Sequence, residues 1–267
     1  MEPLDYEVMK WRDYSGRLGF VKTEQAEKDY VQELILFELY SSRLGSMLVF
    51  RGGTAISKIY GSGRFSEDID LILNVQADAR EIVEEVDGAM RGLNLYYPVN
   101  YERKSCRNML KYYLRVKGPI YMVANNEQAK QTVELDINTY ERPLFRTDSL
   151  HRVPIYEDIR PYMLTAAGPE ELLADKVKAM LERTKPVARD LYDAWVLIKK
   201  YRIRPDLAVV DKKMREYGKS ADEKFSVRAL LRRVRELEKT WKVELSRLMK
   251  VTPDYKIVRA EFEAAVR

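Results

Sequence analysis

Phe50-Arg51-Gly52-Gly53-Thr54-Ala55-Ile56-Ser57, followed by Arg64-Phe65-Ser66-Glu67-Asp68-Ile69-Asp70-Leu71-Ile72-Leu73, is the stretch from which the rest of the chain can be read. Side chains alternate along a β-strand, so Asp68 and Asp70 share one face while Ile69 and Leu71 take the other. Neighbouring carboxylates repel unless a cation lies between them. Hard oxygen ligands of this kind suit Mg²⁺ or Mn²⁺, and such ions suit nucleotide phosphates. Gly52 and Gly53 let backbone N–H groups approach an anion where a Cβ would obstruct it. Alone, an Asp-x-Asp fits a solvated strand edge and a Gly-Gly fits a turn. Close together, between apolar strand signals at Leu48-Val49-Phe50 and Leu71-Ile72-Leu73, they point to nucleotidyl or phosphoryl transfer.

Gln131-Thr132-Val133-Glu134-Leu135-Asp136-Ile137-Asn138 alternates in the same way, with Glu134 and Asp136 on the polar face. Either carboxylate can supply a third acid, and a half-exposed strand with a polar outer face explains the pattern equally well. Gly168-Pro169-Glu170-Glu171 is a strong helix start. In the helix that follows, Leu172, Leu173, Val177, Met180 and Leu181 form the buried stripe. Lys176 flanks it and Lys178 faces water. A second helix carries Arg189-Asp190-Leu191-Tyr192-Asp193-Ala194-Trp195, with Leu191, Ala194, Trp195 and Ile198 apolar, Asp190 at the flank and Asp193 nearly opposite. Arg189 and Asp193, four apart, can pair on the surface.

The run from Phe50 to Leu73 resembles the nucleotidyltransferase superfamily of DNA polymerase β. More narrowly, the whole set of motifs from Phe50 to Trp195 resembles the AbiEii/AbiGii-type toxins. These are the toxic halves of abortive-infection toxin–antitoxin pairs and are related to the MenT toxins. The resemblance implies a mixed nucleotidyltransferase sheet with flanking helices and a C-terminal helical lobe, the active cleft lying between them. It implies Asp68, Asp70 and Asp136 as metal ligands, with Glu134 the fallback for the third. Gly52, Gly53, Thr54 and Ser66 would hold the nucleotide, Lys176 would steady its triphosphate, and Asp190 would serve the site. It further implies an NTP substrate, an RNA acceptor such as the 3′ end of a tRNA, and arrest of growth through blocked aminoacylation. The genetic partner would be an AbiEi-like antitoxin, without direct contact, in a type IV system.

Charge divides unevenly along the 267 residues. Residues 1–150 hold 20 Lys and Arg against 23 Asp and Glu, a net of −3, and residues 151–267 hold 27 against 19, a net of +8. Arg228, Arg232, Arg233 and Arg235 stud one amphipathic segment that a polyanion could cross, although such faces are commonly just solvated. The single histidine, His151, leaves no room for mechanisms needing several imidazoles, and its neighbours suggest a structural place. Zinc spacing and a serine nucleophile elbow are both missing. One cysteine, Cys106, forms no internal disulfide and fits a reducing compartment. No apolar run is long enough for a membrane, and the first residues lack a signal-peptide plan, so a soluble cytoplasmic protein is expected.

Strand-rich sequence followed by helix-rich sequence predicts an α+β protein, with a nucleotidyltransferase domain over 1–165 and a basic helical domain over 166–267. Helices are expected at 24–45, 54–60 and 81–93, and strands at 47–51, 67–74, 96–103, 108–117 and 131–138. Residues 143–165, with prolines at 143, 154 and 161, read as irregular. Two other readings stay open. One is a polymerase-β-like enzyme modifying a small hydroxyl compound, as antibiotic nucleotidyltransferases do. The other is a non-catalytic NTP-binding module.

Overall fold

A computed structural model describes residues 3–75, 78–106, 108–218 and 225–267. In chain order the elements are α1 (Pro3–Leu18), α2 (Thr23–Ser41), β1 (Leu48–Arg51), α3 (Gly52–Lys58), β2 (Ile69–Leu73), α4 (Ala79–Gly92), β3 (Val99–Cys106), β4 (Met109–Val116), α5 (Pro119–Ala124), β5 (Gln131–Asn138), β6 (Thr147–Arg152), β7 (Tyr162–Ala167), α6 (Pro169–Glu182), α7 (Ala188–Tyr201), α8 (Leu207–Tyr217), α9 (Val227–Glu236), α10 (Trp241–Leu245) and α11 (Tyr255–Val266). They fall into two units. The first comprises residues 1–55, 65–142 and 147–166, and the second 56–64, 143–146 and 167–267.

The first unit is built on a seven-stranded sheet in the order β3-β4-β5-β2-β1-β7-β6. It is mixed: β1 runs antiparallel to β2 and parallel to β7, while β2 and β5 are parallel. The alternation read from the sequence sets its two faces. Val133, Leu135 and Ile137 of β5 and Leu110, Tyr112 and Leu114 of β4 are buried, while the residues between them are half-buried or exposed. Residues 143–165, expected to be irregular, contain β6 and most of β7. Their prolines stand outside the strands, and Ala166 of β7 pairs with Phe50 of β1. His151 is exposed on β6.

Helix α2 is buried along most of its length and carries five buried polar side chains, Gln25, Glu27, Asp29, Gln32 and Glu33. Burying such groups is costly unless each finds a partner. Glu27 accepts from the backbone N–H of Ile120 and from Gln131, and Asp29 accepts from the Tyr156 hydroxyl. Glu33 receives a two-point contact from Arg152 at 2.9 and 3.0 Å and a further hydrogen bond from the Tyr162 hydroxyl. Helix α2 is thereby tied to residues spread along this unit from Ile120 to Tyr162.

The second unit is helical, with a core that includes Leu172, Leu173, Val177, Met180, Leu191, Leu197, Leu230, Val234 and Phe262. Helix α6 opens at Pro169, as the Gly-Pro-Glu-Glu start requires. Two expectations for this unit are corrected. Lys178 is largely covered and pairs with Glu182 at 3.1 Å instead of facing water. Asp193 is fully buried, not opposite the apolar stripe. The stripe turns towards Leu197, with Trp195 and Ile198 only half-buried, because Asp193 has two cations to meet inside.

Candidate active site

The site residues expected from the sequence are carried by both units. In the first, strand pairing sets a row of charges across the sheet. Arg51 on β1 is opposite Asp70 on β2, Asp70 is in register with Asp136 on β5, Asp136 is opposite Lys111 on β4, and Lys111 is opposite Lys104 on β3. Residues paired in this way share a face. The structure thus places Asp136, and not Glu134, beside Asp70; Glu134 is opposite Tyr113. The central acids have cations on either side. Arg51 is turned to Glu141 at 2.5 Å, and Lys111 Nζ lies 2.5 Å from Asp136 Oδ2.

Asp68 immediately precedes β2, half-buried like Asp70. Its backbone is fixed from two sides. The Thr54 hydroxyl donates to the Asp68 carbonyl, and Gln32 Nε2 donates to the carbonyls of Ser66 at 2.9 Å and Glu67 at 2.8 Å. Thr54 and Gln32 are both buried. Gly52 opens α3 with φ +75, and a Cβ built there would stand 2.1 Å from Asp70 Oδ2. Glycine is demanded twice over, by the left-handed backbone and by the carboxylate packed against it.

These residues fit a divalent cation in part. Asp136 Oδ1 is buried and has no hydrogen-bond partner, the kind of orphan that an ion or water satisfies. Asp70 and Asp136 lie side by side in register. Among the described residues, however, no group of three His, Cys, Asp or Glu side chains is gathered closely enough to hold an ion. Mg²⁺ keeps several waters and takes one or two carboxylates together with substrate phosphates, so two acids in register are a partial site for such an ion.

In the second unit Lys176 and Asp190 are brought together. Lys176 Nζ is 3.1 Å from Asp190 Oδ1 and 2.9 Å from Asp193 Oδ2. Arg64 grips Asp193 through Nε and Nη2, both at 2.6 Å, and Arg183 Nε meets Asp190 at 2.6 Å. Burial works to raise the Asp193 pKa, but Arg64 and Lys176 outweigh it and hold the carboxyl below its ordinary range. Burial likewise disfavours the Lys176 ammonium, and Asp193 and Asp190 more than restore it, leaving its pKa raised. Both groups are therefore charged at neutral pH.

The arginines of α9 separate. Arg233 donates to the carbonyls of Met180 at 3.2 Å, Leu181 at 3.4 Å and Thr184 at 3.3 Å, and to that of Arg183. It satisfies carbonyls at the C-terminal end of α6 that the helix itself leaves open. Arg235 approaches Glu263 at 3.9 Å, while Arg228 and Arg232 are exposed.

The residues that sequence reasoning passed over are Gln32, Arg51, Arg64, Lys111 and the buried role of Asp193. Lys111 carried a faint signal, since it shares the polar face of its strand with Tyr113 and Arg115.

A mixed sheet with aspartates in register after a Gly-Gly turn defines the molecule as nucleotidyltransferase-like in fold. It is similar to a protein of H. pylori assigned to the nucleotidyltransferases, at 20% identity and TM-score 0.57, covering 92% of this chain and 94% of that one. It is also similar to JHP933 from Helicobacter pylori, at 19% identity and TM-score 0.51, covering 92% and 91%. No curated protein is similar enough to count as a relative. Residues 34–267 match the family described as nucleotidyl transferase AbiEii toxin, type IV TA system. The chain belongs to this AbiEii family of nucleotidyltransferase toxins, the one its motifs resemble. Among the described residues no helix is long and apolar enough to cross a membrane.

Proposed function

We propose that this chain transfers a nucleoside monophosphate from an NTP to the 3′ hydroxyl of an RNA, a tRNA above all, and so arrests translation. The observation that carries the reading is the register of Asp70 with Asp136 beside Gly52, with one buried Asp136 oxygen left for a ligand. Asp70 and Asp136, with Asp68, would hold Mg²⁺ or Mn²⁺. The ion would supply charge neutralisation at the phosphates and a lowered barrier to ionising the acceptor hydroxyl.

The acceptor oxygen attacks the α-phosphorus, a new P–O bond forms, and the bond from that phosphorus to the β-phosphate bridge oxygen breaks. Pyrophosphate leaves with the bond electrons, and the hydroxyl proton passes to a carboxylate, for which Asp136 is the candidate. Open backbone at Gly52 and Gly53, with Ser66, would seat the triphosphate; the buried Thr54 hydroxyl braces the turn. Lys176 keeps its proposed role at the triphosphate and Asp190 its role in support, although both are engaged in the buried cluster. Of the α9 arginines, Arg228 and Arg232 are the ones presented to an RNA, whereas Arg233 serves its own fold. An AbiEi-like antitoxin in a type IV pair, acting without direct contact in the cytoplasm, completes the proposal.

The test is to induce the chain in cells, extract tRNA and sequence its 3′ ends. Extra nucleotides beyond the mature terminus, with growth arrest, are expected from the wild type and not from Asp70→Asn. Unaltered 3′ ends during arrest would contradict the RNA acceptor and favour a small hydroxyl compound.

A further inference from the structure

The C-terminal end of α6 meets α8 and α9 around a groove of about 440 Å³, within the roughly 300–1,000 Å³ of ordinary small-ligand sites. Leu181, Met214 and Ala229 give it an apolar wall. Glu182 lines it too, with its side chain only 10% exposed. Glu182 Oε2 pairs with Lys178 at 3.1 Å, but Oε1 is buried and has no hydrogen-bond partner among the described residues. An acceptor in that condition costs free energy until a donor reaches it. Gly218 keeps the space beside it open, since a Cβ there would stand 2.9 Å from Oε1.

The same groove carries cations. A helix C-terminus ordinarily repels anions, but Arg233 already covers the carbonyls that end α6. Arg183 spends Nε on Asp190. Arg232 is exposed, lines the groove, and has no ion pair among the described residues, so its guanidinium is left for an anion. We propose that this groove binds a nucleotide whose base carries an exocyclic amine, such as adenine or cytosine. The base lies on the apolar wall, its amine donates to Glu182, and its phosphate meets Arg232. Adenine N6 and cytosine N4 are donors of the required kind. Uracil flanks its one base N–H with carbonyl oxygens, which a carboxylate repels. The nucleotide can be free or an unpaired residue of an RNA. The site uses neither Asp70 nor a metal ion, so it stands or falls apart from the transferase reading.

The test is calorimetry on the full chain with AMP, CMP, UMP and adenosine, in the presence of a chelator of divalent ions. AMP and CMP should bind about tenfold or more tightly than UMP, the scale of one hydrogen bond to a charged acceptor. Glu182→Gln, whose amide both donates and accepts, should bring UMP to within about threefold of CMP. Arg232→Met, at an exposed position, should weaken AMP about two- to fivefold and leave adenosine unchanged, as loss of a phosphate contact near the surface requires. Asp70→Asn should alter none of these affinities. Equal binding of the three monophosphates, or a preference that survives Glu182→Gln, overturns the inference and leaves the transferase reading as it was. Adenosine weakened as much as AMP by Arg232→Met overturns the phosphate contact. Should no monophosphate bind, short oligoadenylate and oligouridylate are compared in the same variants. A preference for oligoadenylate that Glu182→Gln removes assigns the groove to an RNA residue, and no preference overturns the proposal.

Discussion

Gly52→Ala should damage stability and chemistry together, in proportions that the structure sets. At φ +75 an alanine pays the left-handed penalty of about 1–2 kcal/mol. Its Cβ would also lie 2.1 Å from Asp70 Oδ2 and 2.8 Å from Asp70 Cβ, so turning the carboxylate alone does not clear it. An ordinary contact begins near 3.4 Å, which asks Asp70 to retreat by about 1.3 Å (3.4 less 2.1). Overpacking of this size adds about 1–2 kcal/mol, for a total of roughly 2–4 kcal/mol. At about 2 °C per kcal/mol in a chain of this size, Tm should fall by roughly 4–8 °C. A misplacement of about 1 Å in a reacting constellation costs on the order of 100-fold in kcat. Gly63→Ala is the control, because Gly63 has φ +72 and nothing within 4 Å of its would-be Cβ. It should lose only the backbone share of Tm, about 2–4 °C. Calorimetry and nucleotide-transfer rates on both variants provide the assay. A Gly52→Ala protein no worse than Gly63→Ala in either measurement would refute the packing of Asp70 against Gly52.

Glu27 predicts a pH dependence. Burial pushes its pKa up to about 7, against the hydrogen bonds from Ile120 and Gln131. In the unfolded chain it ionises near its ordinary 4.5. The folded state therefore binds more protons between these values, and stability should fall as pH rises through that window. Glu27→Gln should flatten the dependence of Tm between pH 5 and 7; an unchanged slope would count against it. Arg64→Met should cost about 3–5 kcal/mol by stripping buried Asp193 of its two-point partner, while the double variant with Asp193→Leu should recover part of the loss. Additive losses in denaturant melts would contradict that coupling. Gln32→Leu leaves the Ser66 and Glu67 carbonyls without their donor, for about 1–3 kcal/mol, and should lower kcat by loosening the backbone before Asp68. Full activity in that variant would show that the clamp does not position the site.

How much of this was legible in the sequence follows from how local each signal is. The Gly-Gly turn, the Asp-x-Asp and β5 declare themselves because an alternating strand needs no knowledge of its neighbours. The alternation over 131–138 marks the full extent of β5, and α6 begins at Pro169 as its start signal requires. Membership of the AbiEii family followed from the same motifs. Buried charge was not legible. Asp193 looks like a solvated helix residue until Arg64, 129 positions away, is seen to meet it. The buried polar residues of α2 depend in the same way on partners far along the chain. Strands β6 and β7 were hidden by prolines that border them without interrupting them. The cross-sheet row from Lys104 to Arg51 depends on register, which alternation alone does not supply.

Purified chain incubated with Mg²⁺, tRNA and each α-labelled NTP in turn tests the central claim most directly. The account predicts label joined to the RNA 3′ end, release of pyrophosphate in equal amount, and loss of both in Asp70→Asn and Asp136→Asn. Label that persists in those variants, or nucleotide binding without transfer to any RNA, would contradict it.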